Sequence, residues 1–173
     1  MPEINFEHHA QFFTATILQW KPLLKEDHFK DVIIDSLRHL KNEGSIKIYG
    51  FVIMPNHMHL IWQIQDGYKR ENVQLRLLKF TGQQMKFRMQ DSNDHQLENY
   101  RVNARDRQYQ FWERNSLSID LWTPAVFMQK LDYIHNNPLQ HKWQLCELQE
   151  DYKYSSAGFY ATGMDEFDLI TPY

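Results

Sequence analysis

The sequence predicts an α+β fold built on one antiparallel sheet, and three observations predict it. Aromatic and β-branched residues crowd Gln11 to Trp20 (QFFTATILQW). Two further apolar runs, Ile46 to Met54 and His57 to Ile64, are separated only by the turn dipeptide Pro55-Asn56. Stretches with helical spacing of apolar residues lie before and after that pair.

Residues 11–20 read as a first strand, stopped by Pro22. Asp27 is placed to cap a helix over 28–42, where Phe29, Ile33, Leu37 and Leu40 recur at spacings of four, four and three before Gly44. Residues 46–54 form the second strand. Pro55-Asn56 turns the chain and 57–64 returns antiparallel, which puts the two histidines at a strand end where a site can open to solvent. A second helix is expected over 72–89, with Val73, Leu77 or Leu78, Met85 and Met89 facing a core. Asp91 to Asp94 is turn-like. Tyr109 to Trp122 mixes Phe111, Trp112, Ile119 and Trp122 with polar breaks and reads as a strand or short irregular hairpin. Thr123-Pro124 opens a third helix whose stripe is Phe127, Leu131 and Ile134, ended by Asn136-Asn137-Pro138. The remainder, with Tyr152-Lys153-Tyr154-Ser155-Ser156, reads as a packed tail with another short helix. The order is that of a ferredoxin-like β-α-β-β-α-β sandwich carrying an additional helix and a C-terminal tail.

At 173 residues, one domain spanning 1–173 is the expectation. The 42% hydrophobic content argues against global disorder, and a formal charge of −3 announces no nucleic-acid partner by itself. The distribution says more: Lys69, Arg70, Arg76, Lys79, Lys86 and Arg88 face only Glu71 across their stretch, whereas acids dominate after Glu147. That asymmetry permits an anion-binding face. Cys146 is the lone cysteine, which fits a reducing compartment. No basic-then-apolar leader and no apolar run near about 18 residues is present, so a cytoplasmic protein without membrane contact is expected.

Chemistry concentrates in Pro55-Asn56-His57-Met58-His59-Leu60. With period two, His57 and His59 point to one side of the strand while Met58, Leu60 and Trp62 point to the other. Alternate imidazoles can converge on a divalent ion, or they can close a hairpin end by hydrogen bonding; two ligands are too few to decide. In Lys130-Leu131-Asp132-Tyr133-Ile134-His135-Asn136-Asn137-Pro138, Tyr133 and Asn137 are four apart and share a helical face, expected opposite the Phe127, Leu131 and Ile134 stripe. A phenolate can be a nucleophile and an amide oxygen a metal ligand. Equally, Asn137-Pro138 can end a helix while Tyr133 packs.

MPNHMH, the helix-ending YIHNNP and the late YKYSS, in that order, resemble the REP-associated tyrosine transposases within the single-tyrosine HUH transposases, over about residues 6 to 160. The resemblance implies a ferredoxin-like catalytic domain that commonly dimerises, with His57 and His59 as metal-binding histidines, Tyr133 as nucleophile and Asn137 as the polar position completing the site. Insertion-sequence relatives often carry glutamine where Asn137 stands, and His135 is a rival ligand that faces elsewhere on an ideal helix.

It further implies a single-stranded DNA endonuclease and strand transferase that uses Mg²⁺ or Mn²⁺ and forms a 5′-phosphotyrosyl intermediate in DNA transposition or repeat processing. Glu113 and Asp132 are auxiliary acid candidates. The expected partners are single-stranded DNA with a hairpin and a second copy of the chain. On that reading Lys69, Arg70, Arg76, Lys79, Lys86 and Arg88 contact phosphates while Gln83 and Gln84 approach base edges, although the same residues suit an ordinary solvated helix face. Arg101, Arg105 and Arg107 form a smaller patch. Trp112, Trp122 and Trp143 are stacking groups or core anchors, and Ser155 and Ser156 bind phosphate or cap the last helix. The alternatives are a catalytically inactive DNA-binding protein of the same fold, another HUH endonuclease such as a replication initiator, or a water-using metal phosphatase or nuclease, against which the shortage of clustered acids argues.

Overall fold

The computed structural model describes residues 9–173; residues 1–8, including the first positions of the span that carries the resemblance, lie outside it. Four strands, β1 (Gln11–Thr16), β2 (Ile46–Ile53), β3 (His57–Ile64) and β4 (Leu117–Asp120), form one sheet in the order β2-β3-β1-β4. Every neighbouring pair is antiparallel. The first strand therefore ends up between the third and fourth, as the β-α-β-β-α-β order requires.

The helices α1 (Asp27–Asn42) and α2 (Arg70–Asp91) enclose one face of the sheet. Phe13, Ala15, Phe51, Ile53, Met58, Leu60 and Trp62 meet Ile33, Leu37, Val73, Leu77 and Met85 in a single buried cluster. Alternation along β1 and β3 sends the intervening residues to the other face. There Phe12, Val52 and Ile61 pack beneath Phe127, Leu131 and Ile134 of α3 (Pro124–Asn136). The added helix thus has a face of the sheet to itself. It approaches closely at Gly50, where a β-bulge interrupts the β2–β3 register and an added Cβ would sit 2.6 Å from Leu131 Cδ1.

The helix ends follow the sequence at α3, where Thr123 Oγ1 accepts from the Val126 amide and Pro124 takes the first turn. At α1 they differ. Asp27 is the first helical residue rather than the cap, and its carboxylate binds Lys30 Nζ at 2.9 Å within the first turn.

Two expected strands are shorter than their sequence runs. β1 stops at Thr16 because the backbone turns left-handed at Gln19 and Trp20 (φ 56° and 57°). Residues 109–116 are irregular, touching the sheet through an Ile17–Trp112 bridge, and a 3₁₀ turn at His95–Tyr100 precedes them.

The tail covers the β2 edge: Ile53 and Ser156 amides exchange bonds with Tyr154 and Phe51 carbonyls, and the Thr171 amide reaches Ile48 O. Tyr152 and Tyr154 hydroxyls reach Ile53 O and Asp31 Oδ1, so the YKYSS segment, followed by α4 (Ala157–Thr162), acts as a clasp. Among the described residues no helix is long and apolar enough to cross a membrane.

Candidate metal and nucleophile site

The register of the central strands assembles the site. β1 lies beside β3 with Thr14 opposite His59 and Thr16 opposite His57, while Val52 of β2 lies opposite His59 on the other side. Both imidazoles consequently project towards α3. Their ring centroids are 4.7 Å apart, and each residue is only 6% exposed, so the hairpin end is roofed rather than open. Phe12 stacks on His59 at 5.0 Å. The Tyr133 ring stands edge-on to His59 with centroids 5.5 Å apart, within the same chain, while Tyr133 itself remains 44% exposed.

Each imidazole is oriented by its Nδ1. Asn56 Oδ1, which can only accept, lies 2.7 Å from His57 Nδ1, so that nitrogen carries the proton and Nε2 keeps its lone pair. Thr14 Oγ1 lies 2.8 Å from His59 Nδ1 and can accept in the same way. His59 Nε2 is then a buried lone pair without a hydrogen-bond partner, and so is Asn137 Oδ1, on a residue 2% exposed. Burial pushes the His57 imidazole down to about 4, reinforced by Lys142 and opposed by the Asn137 side chain. Burial takes His59 down to about 3, helped by His57 and Lys130. Both rings are therefore neutral at neutral pH, the form that ligates a metal.

This donor set fits a divalent cation: His57 and His59 through Nε2 and Asn137 through Oδ1, two of these atoms being buried and unpartnered. Among the described residues no three His, Cys, Asp or Glu side chains group as a metal site, so a third donor from this chain would have to be of another kind, such as the Asn137 amide. Asn137 does not oppose the buried stripe as the spacing suggested. It lies three residues beyond Ile134 and four beyond Tyr133, hence on the border of both faces, where the helix passes into a 3₁₀ turn at Asn137–Leu139.

His135 is directed elsewhere, its Nε2 lying 2.8 Å from Ser156 Oγ. Ser156 also accepts from the Phe51 amide, and Ser155 Oγ accepts from the Ala157 amide, so both serines serve the internal structure of the clasp. Glu113 Oε1 holds the Gln19 amide, and Asp132 is exposed on α3, raising the pKa of His135 against the burial that lowers it to about 4.

The basic helix lies on the other side. α2 packs with α1 against the opposite face of the sheet from His57, His59 and Tyr133. Arg76 forms a two-point pair with Glu43 at 2.7 and 2.8 Å, Arg88 Nη1 binds His28 O, Arg70 lies beside Glu71, and Lys86 lies over Phe87. Lys69, Lys79 and Gln83 are exposed and Gln84 half-buried. Phosphate contacts by this helix would thus be remote from the tyrosine. The smaller patch is largely neutralised too, with Arg101 on Glu98 and Arg107 on Asp106. Trp112 is a core anchor whose Nε1 donates to Thr81 Oγ1, Trp122 is 65% exposed, and Trp143 lies half-buried 6.0 Å from the His57 ring.

Sequence reasoning missed the cations that do border the site. Lys130 Nζ sits 4.9 Å over the Phe12 ring and 5.7 Å over the Tyr133 ring. Its position three residues before Tyr133 was the available signal. Thr14 and Lys142 depend on strand register and on a loop path, which no local pattern encodes.

Solved structures share this architecture. A structure of a REP-associated tyrosine transposase bound to a REP hairpin superposes with a TM-score of 0.65 at 17% identity, covering 94% of this chain and 86% of that one. A chain described as a transposase from Deinococcus radiodurans superposes with a TM-score of 0.50 at 14% identity, covering 79% of this chain and 94% of that one. Identities this low establish a shared fold. No protein-family model and no curated protein matches the sequence.

Proposed function

We propose that this chain is a metal-dependent single-stranded DNA endonuclease and strand transferase of the REP-associated tyrosine transposase kind. One observation supports the reading: His57 has the His59 ring 4.7 Å away and the Asn137 side chain beside it, His59 Nε2 and Asn137 Oδ1 are buried without partners, and a half-exposed tyrosine has its ring 5.5 Å from that of His59. Such orphaned atoms are costly unless something binds them, and their chemistry selects a cation.

Bound Mg²⁺ or Mn²⁺ would withdraw charge from the scissile phosphate and orient its nonbridging oxygen. His57, His59 and Asn137 would hold it as neutral donors, so these residues would not themselves cancel its charge. Tyr133 Oη attacks phosphorus; the bond to the 3′ oxygen breaks as the phenolic proton leaves, giving a 5′-phosphotyrosyl link and a free 3′-hydroxyl. Attack by a 3′-hydroxyl on that link reverses the step and rejoins strands. Lys130, over the Tyr133 ring, supplies positive charge where the phenolate and phosphate meet. The partner is single-stranded DNA bearing a hairpin, in keeping with the hairpin bound by the structural neighbour. The His59 and Tyr133 rings lie 5.5 Å apart within one chain, which supports a Tyr133 acting in its own subunit's site, with the second copy expected as a dimer partner.

The test is incubation of the purified protein with Mn²⁺ and a library of hairpin-bearing single strands, followed by mapping of any covalent adduct. An adduct on Tyr133 that requires metal is the expected result. An adduct on another residue, or one formed without metal, overturns the assignment, and no adduct across a broad library favours a binding-only protein.

A further inference from the structure

We propose that Trp20 is the stacking platform for an unpaired base next to the phosphate at His57, held in place by a strained turn; this rests on the single-stranded DNA reading above. Gln19 (φ 56°, ψ 28°) and Trp20 (φ 57°) are consecutive non-glycine residues in the left-handed region. Bulky side chains avoid that conformation, and it persists only where surrounding contacts over-determine it. Here they do. The Gln19 amide donates to Glu113 Oε1 at 2.6 Å, the Trp20 amide to Ile17 O, the Leu18 amide to Phe111 O and the Ile17 amide to Asn56 O.

Burial of the indole does not offset this strain, because Trp20 is 61% exposed. What the turn achieves is placement. The indole stands edge-on to the His57 ring with centroids 6.1 Å apart. One side chain ties the two together: Asn56 Oδ1 accepts from His57 Nδ1 while Asn56 Nδ2 donates to Trp20 O at 3.3 Å. The amide that fixes the tautomer of the candidate ligand therefore also fixes the turn that presents the ring.

Trp143 also lies near the same imidazole, 6.0 Å away, with its Nε1 buried and unpartnered, and the exposed Lys142 precedes it. Lys21 follows Trp20, its ammonium bonded to Asn99 O and lying over the Tyr100 ring. Aromatic faces interleaved with cations are the lining of single-strand tracks, where bases stack regardless of identity. Trp20 would accordingly supply affinity and register at the scissile phosphate rather than sequence readout.

The test uses the full chain and an oligothymidine of about 16 nucleotides, enough for one single-strand site, carrying 5-iodouracil for photocrosslinking. Crosslinking to Trp20 is expected. Trp20→Gly, which relieves the left-handed strain, should keep or raise the melting temperature while weakening binding by roughly tenfold or more; Trp20→Phe should restore most of the affinity. A crosslink that maps elsewhere, unchanged affinity in Trp20→Gly, or a fall in its melting temperature would overturn the proposal. The Tyr133 adduct assay is a separate readout. Crosslinking at Trp20 without any adduct leaves the stacking role standing and removes the cleavage reading, whereas an adduct with unimpaired Trp20→Gly binding does the reverse. No binding of the oligothymidine by the wild-type chain would overturn the stacking proposal, and no binding of the hairpin-bearing library either would overturn both.

Discussion

The two faces of the sheet are built from alternate residues of the same strands, and both carry an orphaned indole N–H, yet among the described residues an orphaned buried acceptor occurs only on the α3 side. Under α1 and α2, Met58, Leu60 and Trp62 of β3 are completely buried among apolar neighbours, and the orphaned Trp62 Nε1 is an N–H donor that cannot hold a cation. Under α3, Phe12, Val52, Ile61, Phe127, Leu131 and Ile134 make a smaller apolar cluster. Beside it, Asn137 Oδ1 is an orphaned atom that offers lone pairs, as does His59 Nε2 when Thr14 Oγ1 accepts from its Nδ1–H. The difference teaches how the site is held: Met58, Leu60 and Trp62 pin the strand on one side, and the pleat then fixes His57 and His59 on the other.

The sharpest way to break this comparison is Tyr133→Phe. The ring is 44% exposed and its packing survives the change, so stability should change by no more than about 0.5 kcal/mol, a melting-temperature shift of about 1–2 °C. Covalent adduct formation with hairpin-bearing DNA should vanish entirely. An adduct that persists on the variant removes Tyr133 from the chemistry and leaves the α3 face a binding surface.

Acid should separate the faces next. His57 and His135 are held down at about 4 and His59 at about 3, all three mainly by burial on or beside the α3 face. Their folded pKa values lie below the unfolded value of about 6.5, so the unfolded chain binds protons that the native chain refuses. Stability is thus fully present above that value and falls as pH drops towards 4, by about 3 kcal/mol per histidine at most. Denaturant unfolding at pH 7, 6 and 5 measures it, with saturating Mn²⁺ expected to protect His57 and His59 but not His135. The lowered carboxylates of Glu43 and Asp106 add their losses below this window. A flat profile from pH 7 to 5 would remove the buried neutral imidazoles from the account.

Much of this was legible in the sequence, for reasons that differ by region. β2, β3 and their hairpin were readable because alternation and Pro55-Asn56 act locally, and α3 because Thr123-Pro124 and its stripe do. The shared face of His57 and His59 follows from strand period alone. The end of β1 was not legible, since residues 17–20 are turned by bonds to Phe111 and Glu113, some ninety residues away in the chain as the Gln19–Glu113 separation of 94 measures. The Thr14–His59 contact likewise needs the β1–β3 register. The basic run in α2 was legible as a charged helix but not as one on the far face, because charge does not encode which side of a sheet a helix covers.

Asn137→Leu has a smaller but two-signed effect. Removing the orphaned acceptor favours the metal-free variant while losing the Asn137 side chain's hydrogen bond to His57 disfavours it, so metal-free stability should change by no more than about 1 kcal/mol, while Mn²⁺ affinity falls at least about tenfold. Calorimetric titration with Mn²⁺ and unfolding in a chelator measure the two arms. Unchanged Mn²⁺ affinity, or a loss of several kcal/mol in the chelator, would mean that the Asn137 amide is structural, and the metal assignment would lose its third donor.

Trp62→Phe is the matched change on the opposite face and should do least. It deletes an orphaned N–H, which favours the variant, and leaves a small void beside Phe13, which disfavours it. These terms oppose each other, so the net should lie within about 1 kcal/mol, read by denaturant unfolding. Adduct yield should not change, because an indole that touches only the α1 and α2 side has no route to the phosphate except through the backbone of β3. A loss of adduct comparable to that of Asn137→Leu would mean that shifts of β3 on one face displace His57 and His59 on the other. The two faces would then be one mechanical unit, and the packing under α1 and α2 would itself set the geometry of the site.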